Sequence, residues 1–371
     1  GLDPGVGEVL GDARAVGRDL EAERVGGRAG VGERAALDVA EDVGDVFGGE
    51  RGLEDGALVG AGGEDEGEDG ELGGFEFGGK KKKQKTASSS SPPSQSGAAK
   101  GPSEKERLKG PFSDCEGCPM MVPVQGRNFT LGSPLTEAGR ADTEGPPRGV
   151  RVGDFTIGQY EVTREQYEMF VKETNYVSSR TCDIGGRRVA GSGWQNPGIA
   201  QSPKHPVVCV SWKDARSFVA WLKKKTGKPY RLPSEVEWEF VARAGSTHAY
   251  FFGPQFLPGQ ANAQRHRNGT APVGDFGFNK FMVADVHGNA WELLEDCWSA
   301  DLSFLPADGR SLGILGDCSQ RAIRGGGWDS PIEHVRSATR GAAGENAALN
   351  SVGFRVARDF VEEPESALKK K

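Results

Sequence analysis

Beyond residue 112, apolar residues recur at spacings that are typical of short helices and strands. In the segment 215–222 they occupy positions i, i+3, i+4 and i+7, which predicts an amphipathic helix. Ser211 and Asp214 precede this segment with the spacing of a capping box, and Gly227 is well placed after it. The pattern therefore predicts a helix that begins after Ser211 and ends before Gly227.

Two further helices are predicted from their starts. Thr163 with Gln166, and Ser234 with Glu237, have the capping-box spacing that satisfies backbone N–H groups at a helix N-terminus. The second of these helices is expected to stop at Gly245, because glycine favours the left-handed conformation that ends a helix.

Strands are predicted around a glycine turn in 121–132, in 150–160 and, as a closing strand with alternating sides, in 353–357. After residue 245 the sequence is dominated by turn-forming residues between short strand-like segments. Together with the three helices, this texture predicts an α+β domain with much irregular backbone.

Residues 1–79 use only nine residue types, with many glycines and few large apolar side chains. Such a segment cannot bury enough apolar area to offset its ordering entropy, and we predict that it is disordered. Two origins remain open. The segment is either a genuine acidic low-complexity tail or a gene-model artefact, such as an extension in the wrong frame of GC-rich DNA.

We predict a Lys/Ser/Pro linker at 80–112, a folded domain at 113–361 and a charged tail at 362–371. The lysine run 80–85 is either a solvated part of the linker or a nuclear or anionic-surface signal. The net charge of -7 argues against nucleic acid as a partner. No apolar run approaches the roughly 20 residues of a transmembrane helix, and no signal peptide is visible.

Short motifs follow one another through the whole predicted domain. They include DCEGCPMMV at 114–122, FTLGS at 129–133, YEVT at 160–163, PVVCVSW at 206–212, RLPSEVEWE at 231–239, HGNAWE at 287–292, RGGGW at 324–328 and VGFRVA at 352–357. In this order they resemble the formylglycine-generating enzyme, or sulfatase-modifying factor, family. The resemblance implies a C-type-lectin-like fold.

The resemblance also implies where catalytic residues would lie. Active members oxidise a sulfatase cysteine to formylglycine with copper(I), which is held by two cysteines after the Arg-Gly-Gly motif, because soft thiolates suit this ion. In this chain the two positions fall on Ser330 and Val335. A hydroxyl and an isopropyl group cannot hold copper(I), so we predict no catalytic residues, and Cu⁺ only if the chain is nevertheless an oxidase.

Iron-dependent sulfoxide synthases of the same family take their metal from three histidines, largely through a helical partner domain. Here the five histidines are scattered along the chain and no such domain is visible. We therefore expect them to be ordinary core or surface residues: His205, His248, His266, His287 and His334.

Six cysteines admit 15 disulfide connectivities. Sequence order suggests the pairs Cys115–Cys118, Cys182–Cys209 and Cys297–Cys318. Alternatives remain for each of them. Cys115 and Cys118 could form a redox or metal motif, and all six residues could be free thiols in a reducing cytosol.

The segment 285–292 resembles the calcium-binding turn of the family. Calcium prefers oxygen ligands, and we predict the Glu292 carboxylate with the backbone oxygens of His287, Gly288 and Ala290. The alternative is a tight turn pinned by Asn289 without an ion. A second calcium site of the family maps near 262–263, but no acidic residue follows in 264–269.

In this fold the C-terminal strands and loops form the ligand face. We predict that this face contacts a protein or small-molecule ligand through nine residues: Trp328, Asp329, Ser330, Glu333, His334, Arg336, Arg340, Glu345 and Asn346. The alternative for Arg336, Arg340 and Arg355 is a structural role, in ion pairs with core carboxylates such as Glu292 or Asp296.

Together these features favour a non-catalytic, calcium-stabilised and disulfide-linked binding module that is periplasmic or secreted. The alternative is a formylglycine-generating oxidase that acts on sulfatase cysteines. Ser330 distinguishes the two hypotheses, because the oxidase needs a thiolate at that position.

Overall fold

The computed structural model describes residues 103–361 except positions 314 and 316, so the predicted segment 1–79 and tail 362–371 lie outside the described residues. The α-helices of this part are α1 Glu104–Arg107, α2 Arg164–Thr174, α3 Trp212–Thr226 and α4 Glu235–Arg243. The strands are β1 Met121–Val124, β2 Asn128–Leu131, β3 Arg148–Arg151, β4 Phe155–Gly158, β5 Thr181–Ile184, β6 Arg187–Ala190, β7 Tyr230–Arg231, β8 Trp291–Trp298, β9 Asp317–Arg324, β10 Arg340–Gly344, β11 Val352–Gly353 and β12 Ala357–Arg358. None of the helices described here is long and apolar enough to cross a membrane.

The three predicted helices are confirmed, and each begins with a complete capping box. The pairs are Thr163 with Gln166, Ser211 with Asp214 and Ser234 with Glu237. Helix α3 ends at Gly227 with φ of 68°, as predicted. Helix α4 ends one residue earlier than predicted, because Ala244 rather than Gly245 adopts the left-handed conformation at its C-cap.

Two four-stranded sheets and two hairpins form the β-structure of the described residues. The first sheet has the order β1-β4-β12-β7 and the second β10-β9-β8-β11, while β2-β3 and β5-β6 are separate pairs. All strand pairs are antiparallel except β11 with β8. This arrangement of separate helices and mostly antiparallel sheets confirms the predicted α+β class.

The C-terminal segment connects the two sheets. Strand β11 pairs with β8 of the second sheet, and β12 inserts between β4 and β7 of the first. Phe354 and Val356 lie between them and are fully buried. The prediction of a single closing strand at 353–357 is therefore wrong, because the chain passes from the second sheet to the first within these residues.

Two of the three core clusters of the described residues contain residues of the longer helices. In the first, the ring centroids of Tyr167 and Phe170 lie 5.3 Å apart, and those of Phe218 and Phe354 lie 5.4 Å apart. In the second, all nine residues of α4 are buried, including its glutamates. Buried carboxylates require partners, and the sheets supply them as arginines.

The packed part of the chain begins before the predicted boundary at residue 113. Glu104 is buried, and its carboxylate accepts hydrogen bonds from Arg358 Nη1 at 3.0 Å and from the Val361 N–H at 2.7 Å. Phe112 exchanges backbone hydrogen bonds with Met121. The C-terminal end of the predicted 80–112 linker is therefore part of the folded domain.

Candidate functional site

The turn 285–290 and the loop 325–335 meet at one end of the second sheet. The turn leads into β8 and the loop follows β9, and the two strands are antiparallel neighbours. Their ends therefore lie side by side. The Gly288 N–H donates a hydrogen bond of 2.8 Å to the Gly325 carbonyl, which joins the two segments directly.

Ser330 is the first of the two positions that the sequence resemblance assigns to a copper-binding cysteine. Its Oγ accepts hydrogen bonds from the Gly327 N–H at 2.9 Å and from Trp291 Nε1 at 3.1 Å. The side chain is buried. The hydroxyl therefore serves as a structural acceptor that fixes the loop against Trp291.

Val335 is the second position that the resemblance assigns to a copper-binding cysteine, and it is also buried. Its carbonyl accepts a hydrogen bond of 2.7 Å from His287 Nδ1, while His287 Nε2 accepts from the Phe251 N–H at 3.1 Å. Burial lowers the pKa of His287 to about 3, so the ring is neutral with its proton on Nδ1. A Cβ on Gly326 would lie 2.4 Å from Val335 Cγ1, so this close approach requires glycine.

All six cysteines of the chain lie in the described part, and all are in disulfides. The pairs are Cys115–Cys118, Cys182–Cys209 and Cys297–Cys318. The predicted pairing is confirmed. No thiol is therefore left to replace the missing pair at Ser330 and Val335.

Glu292 does not face an open ligand site. It is fully buried, and its two oxygens accept hydrogen bonds of 2.6 Å from Arg355 Nε and Nη2. Trp238 Nε1 donates a third at 2.8 Å. These contacts support the alternative, in which Arg355 has a structural role, while the metal role of Glu292 stays a prediction.

Two other buried carboxylates have oxygens without a partner. Glu161 Oε2 and Asp285 Oδ1 form no hydrogen bond with any described residue. Burial raises the pKa of Asp285 to about 6, and burial together with the Asp285 charge raises the pKa of Glu161. Sequence analysis missed both residues, although Asp285 begins the calcium-like turn and Glu161 lies in the YEVT motif.

The arginines of the predicted ligand face point into the core. Arg336 Nη1 lies 2.6 Å from a Glu137 oxygen, and its Nη2 also pairs with Glu144. Arg340 forms a buried ion pair with Glu235. The guanidinium groups of Arg336 and Arg340 therefore form ion pairs within the domain, which is the structural role given above as the alternative. Their partners are not Glu292 or Asp296.

The other predicted face residues differ in exposure. Trp328 is buried, with Nε1 3.2 Å from the Asn350 carbonyl, and Asp329 is half-buried. Glu345 pairs with Arg321 at 3.2 Å. The exposed residues of the set are three: Glu333, His334 and Asn346.

The histidines do not form a metal centre. Within the described residues, no group of three or more His, Cys, Asp or Glu side chains is arranged to hold a metal ion. His205 Nδ1 instead lies 3.0 Å from Thr270 Oγ1, and His287 is held by backbone groups. A calcium site here would therefore combine at most two carboxylates with backbone oxygens.

The fold and the motif order define the class of this protein. Residues 109–360 match the model of the sulfatase-modifying factor enzyme 1-like domain, and the chain belongs to this family.

Among its relatives, the formylglycine-generating enzyme of Thermomonospora curvata is 30% identical over 292 residues, which cover 64% of this chain and 93% of that enzyme. The inactive Cα-formylglycine-generating enzyme 2 of Bos taurus is also 30% identical, over 64% of this chain and 87% of the relative. The solved structure of PvdO from Pseudomonas aeruginosa is 36% identical with a TM-score of 0.62, over 67% of this chain and 98% of PvdO. Since a relative named as a formylglycine-generating enzyme and one named as inactive are both 30% identical to this chain, the site itself must indicate the activity.

Proposed function

We propose that this domain is a binding module of the sulfatase-modifying factor family that lacks the copper-dependent oxidase activity and functions outside the cytoplasm. The observation that supports this proposal most strongly is that all six cysteines are in disulfides, while Ser330 and Val335 stand where the family resemblance predicts the copper ligands. Copper(I) requires soft ligands, and a buried hydroxyl and a valine side chain supply none. Three disulfides favour an oxidising compartment.

The direct test is a conversion assay with a sulfatase-derived peptide that contains one cysteine. The full chain is incubated with this peptide, copper(I) and oxygen, and the peptide mass is followed. The enzyme of Thermomonospora curvata serves as the positive control. We expect no change in mass beyond a sample without protein. Formation of formylglycine above that background would overturn the proposal and favour the oxidase.

Calcium is the ion that the family implies, and the charges of the buried site fit it. Four buried groups interact electrostatically at this site. They are the guanidinium of Arg355 and three carboxylates, those of Glu161, Asp285 and Glu292. When all three carboxylates are ionised, they exceed the guanidinium by two negative charges, which a bound divalent cation would balance. The unpartnered Glu161 and Asp285 oxygens are the hard donors that calcium prefers.

We therefore propose that Glu161 and Asp285 hold the ion, with backbone oxygens of the turn that contains His287, Gly288 and Ala290. The ion would have a structural role, because it neutralises buried carboxylates and fixes the turn. Calcium at 100 times its Kd should raise the free energy of unfolding by about 2.7 kcal/mol.

Asp285→Asn should abolish this increase, which urea titration with and without calcium measures. Asp142→Asn is the matched control, because the Asp142 side chain is fully exposed and should leave the response unchanged. An undiminished response in folded Asp285→Asn protein would place the ion elsewhere.

The ligand face is proposed to make its contacts through the exposed Glu333, His334 and Asn346. Arg336 then acts as a support, and Arg336→Met should destabilise the domain by about 3 kcal/mol because it leaves Glu144 buried without its partner. His334→Ala should leave stability unchanged. Equal stability of the two variants in urea titration would contradict this division between support and contact residues.

A further inference from the structure

A cleft of about 550 Å³ lies beside strand β2, away from the Ser330 loop in sequence. The residues that line it come from 127–134, from Pro147 and from the end of α4 with the loop 245–247. This volume lies in the range of small-molecule binding sites.

Arg127 is the exposed cation of this cleft. Its guanidinium carbon lies 5.8 Å from the Phe240 ring centroid and 5.5 Å from that of Phe281. With the described residues its side chain forms no hydrogen bond and no ion pair. Cation–π contacts with two rings therefore position the guanidinium while its N–H donors stay available to a ligand.

The cleft is free of acidic residues, although the chain as a whole has a net charge of -7. Its second arginine, Arg243, is already paired with buried Glu239 at 2.8 Å and donates to the carbonyls of Gly132 and His248. A guanidinium without a carboxylate partner, in a concave site that contains no Asp or Glu, selects an anion.

The wall of the cleft next to Arg127 is apolar. The ring centroids of Phe129 and Phe240 lie 5.3 Å apart, and those of Phe240 and Phe281 are also 5.3 Å apart. Pro134 and Pro147 extend this wall. A ligand that fits the cleft therefore combines a negative charge with an aromatic or aliphatic body.

We propose that the Arg127 cleft binds a small organic carboxylate with an apolar body. The carboxylate pairs with the Arg127 guanidinium, and the body lies against Phe129 and Phe240. The site shares no residue with the proposed calcium site or with the C-terminal face, so this inference is independent of the function proposed above.

The test uses 4-phenylbutyrate as the probe and 4-phenylbutanol as its neutral counterpart, each titrated into the full chain by ligand-observed NMR. We expect the acid to bind at least about tenfold more tightly than the alcohol, because a charge-assisted hydrogen bond is lost. Arg127→Gln should weaken the acid by about the same factor and leave the alcohol unchanged.

Two further variants test whether the probes bind in the cleft rather than at another exposed arginine. Arg187→Gln is the matched control, because Arg187 is exposed on the β5–β6 hairpin and does not line the cleft. It should bind the acid as the wild type does. Thr247→Trp places a bulky ring at the exposed edge of the cleft and should weaken both probes. Absence of binding at millimolar acid, or equal affinity of wild type and Arg127→Gln, would overturn the proposal.

Discussion

Replacement of Glu292 by glutamine is the change that separates a structural from a metal-binding role. The substitution keeps the shape of the side chain and removes the charge that pairs with Arg355 at 2.6 Å. Both residues are fully buried, so an uncompensated guanidinium remains in the core. Breaking a buried ion pair in this way costs about 3–5 kcal/mol.

The expected loss lies at the low end of that range, about 3 kcal/mol. Arg355 keeps its hydrogen bonds to the Gly158 and Ala284 carbonyls, both at 3.0 Å, and it still feels the charges of Glu161 and Asp285. Urea titration followed by tryptophan fluorescence, at fixed saturating calcium, measures the change.

The double variant Glu292→Gln with Arg355→Met should lose less stability than the sum of the single variants, because neither buried charge is then left alone. Calcium should still stabilise the folded Glu292→Gln protein, since Glu161 and Asp285 retain their oxygens. The reasoning is refuted if this variant is as stable as the wild type. It is also refuted if the folded variant loses its calcium response, because Glu292 would then be the ligand.

Two further changes test other parts of the domain. Replacing Cys182 and Cys209 by alanine opens a loop with a sequence separation of 27 residues and should cost about 3.5 kcal/mol in urea titration. Glu104 has its pKa lowered to about 2, since hydrogen bonds from Val361, Lys228 and Arg358 outweigh its burial. Glu104→Gln should therefore be less stable than the wild type above about pH 4.5, and the difference should vanish as the pH falls towards 2. An unchanged difference at low pH would contradict this.

Local sequence signals predicted the elements whose causes are local. The three capping boxes fix helix starts through residues only three positions apart, and they are all present. The disulfides join cysteines that are 3, 27 and 21 residues apart, so consecutive pairing succeeded. Strands β11 and β12 were missed as separate elements, because their partners lie far away in the sequence.

The charge network of the site could not be derived from sequence for the same reason. Arg336 pairs with Glu144 across 192 positions, and Arg355 pairs with Glu292 across 63. The motifs supplied the residue types but not their partners. Glu292 therefore resembled a calcium ligand in sequence, whereas Asp285, seven positions earlier, has the unpartnered oxygen.

The buried ion pairs of the core are separate from Ser330 and Val335, the two positions that the family resemblance assigns to copper ligands. Arg324 is held by Glu235 and Glu239, both at 2.9 Å, whereas the hydrogen-bond partners of Ser330 Oγ are Gly327 and Trp291. Ser330 is therefore held by contacts outside this ion-pair network. It follows that thiols could be placed at these positions without unfolding the protein.

The variant Ser330→Cys with Val335→Cys tests this separation. We expect it to fold, with a small loss from the hydrogen bonds that Ser330 Oγ accepts from Gly327 and Trp291. It should bind one copper(I) ion, because thiolates are the soft ligands that this ion prefers, whereas the wild type should bind none. Competition with a copper(I) chelator measures this, with ascorbate as the reductant so that the three native disulfides stay closed. Equal copper binding by the wild type would show that another group holds the metal and would return the oxidase hypothesis to consideration.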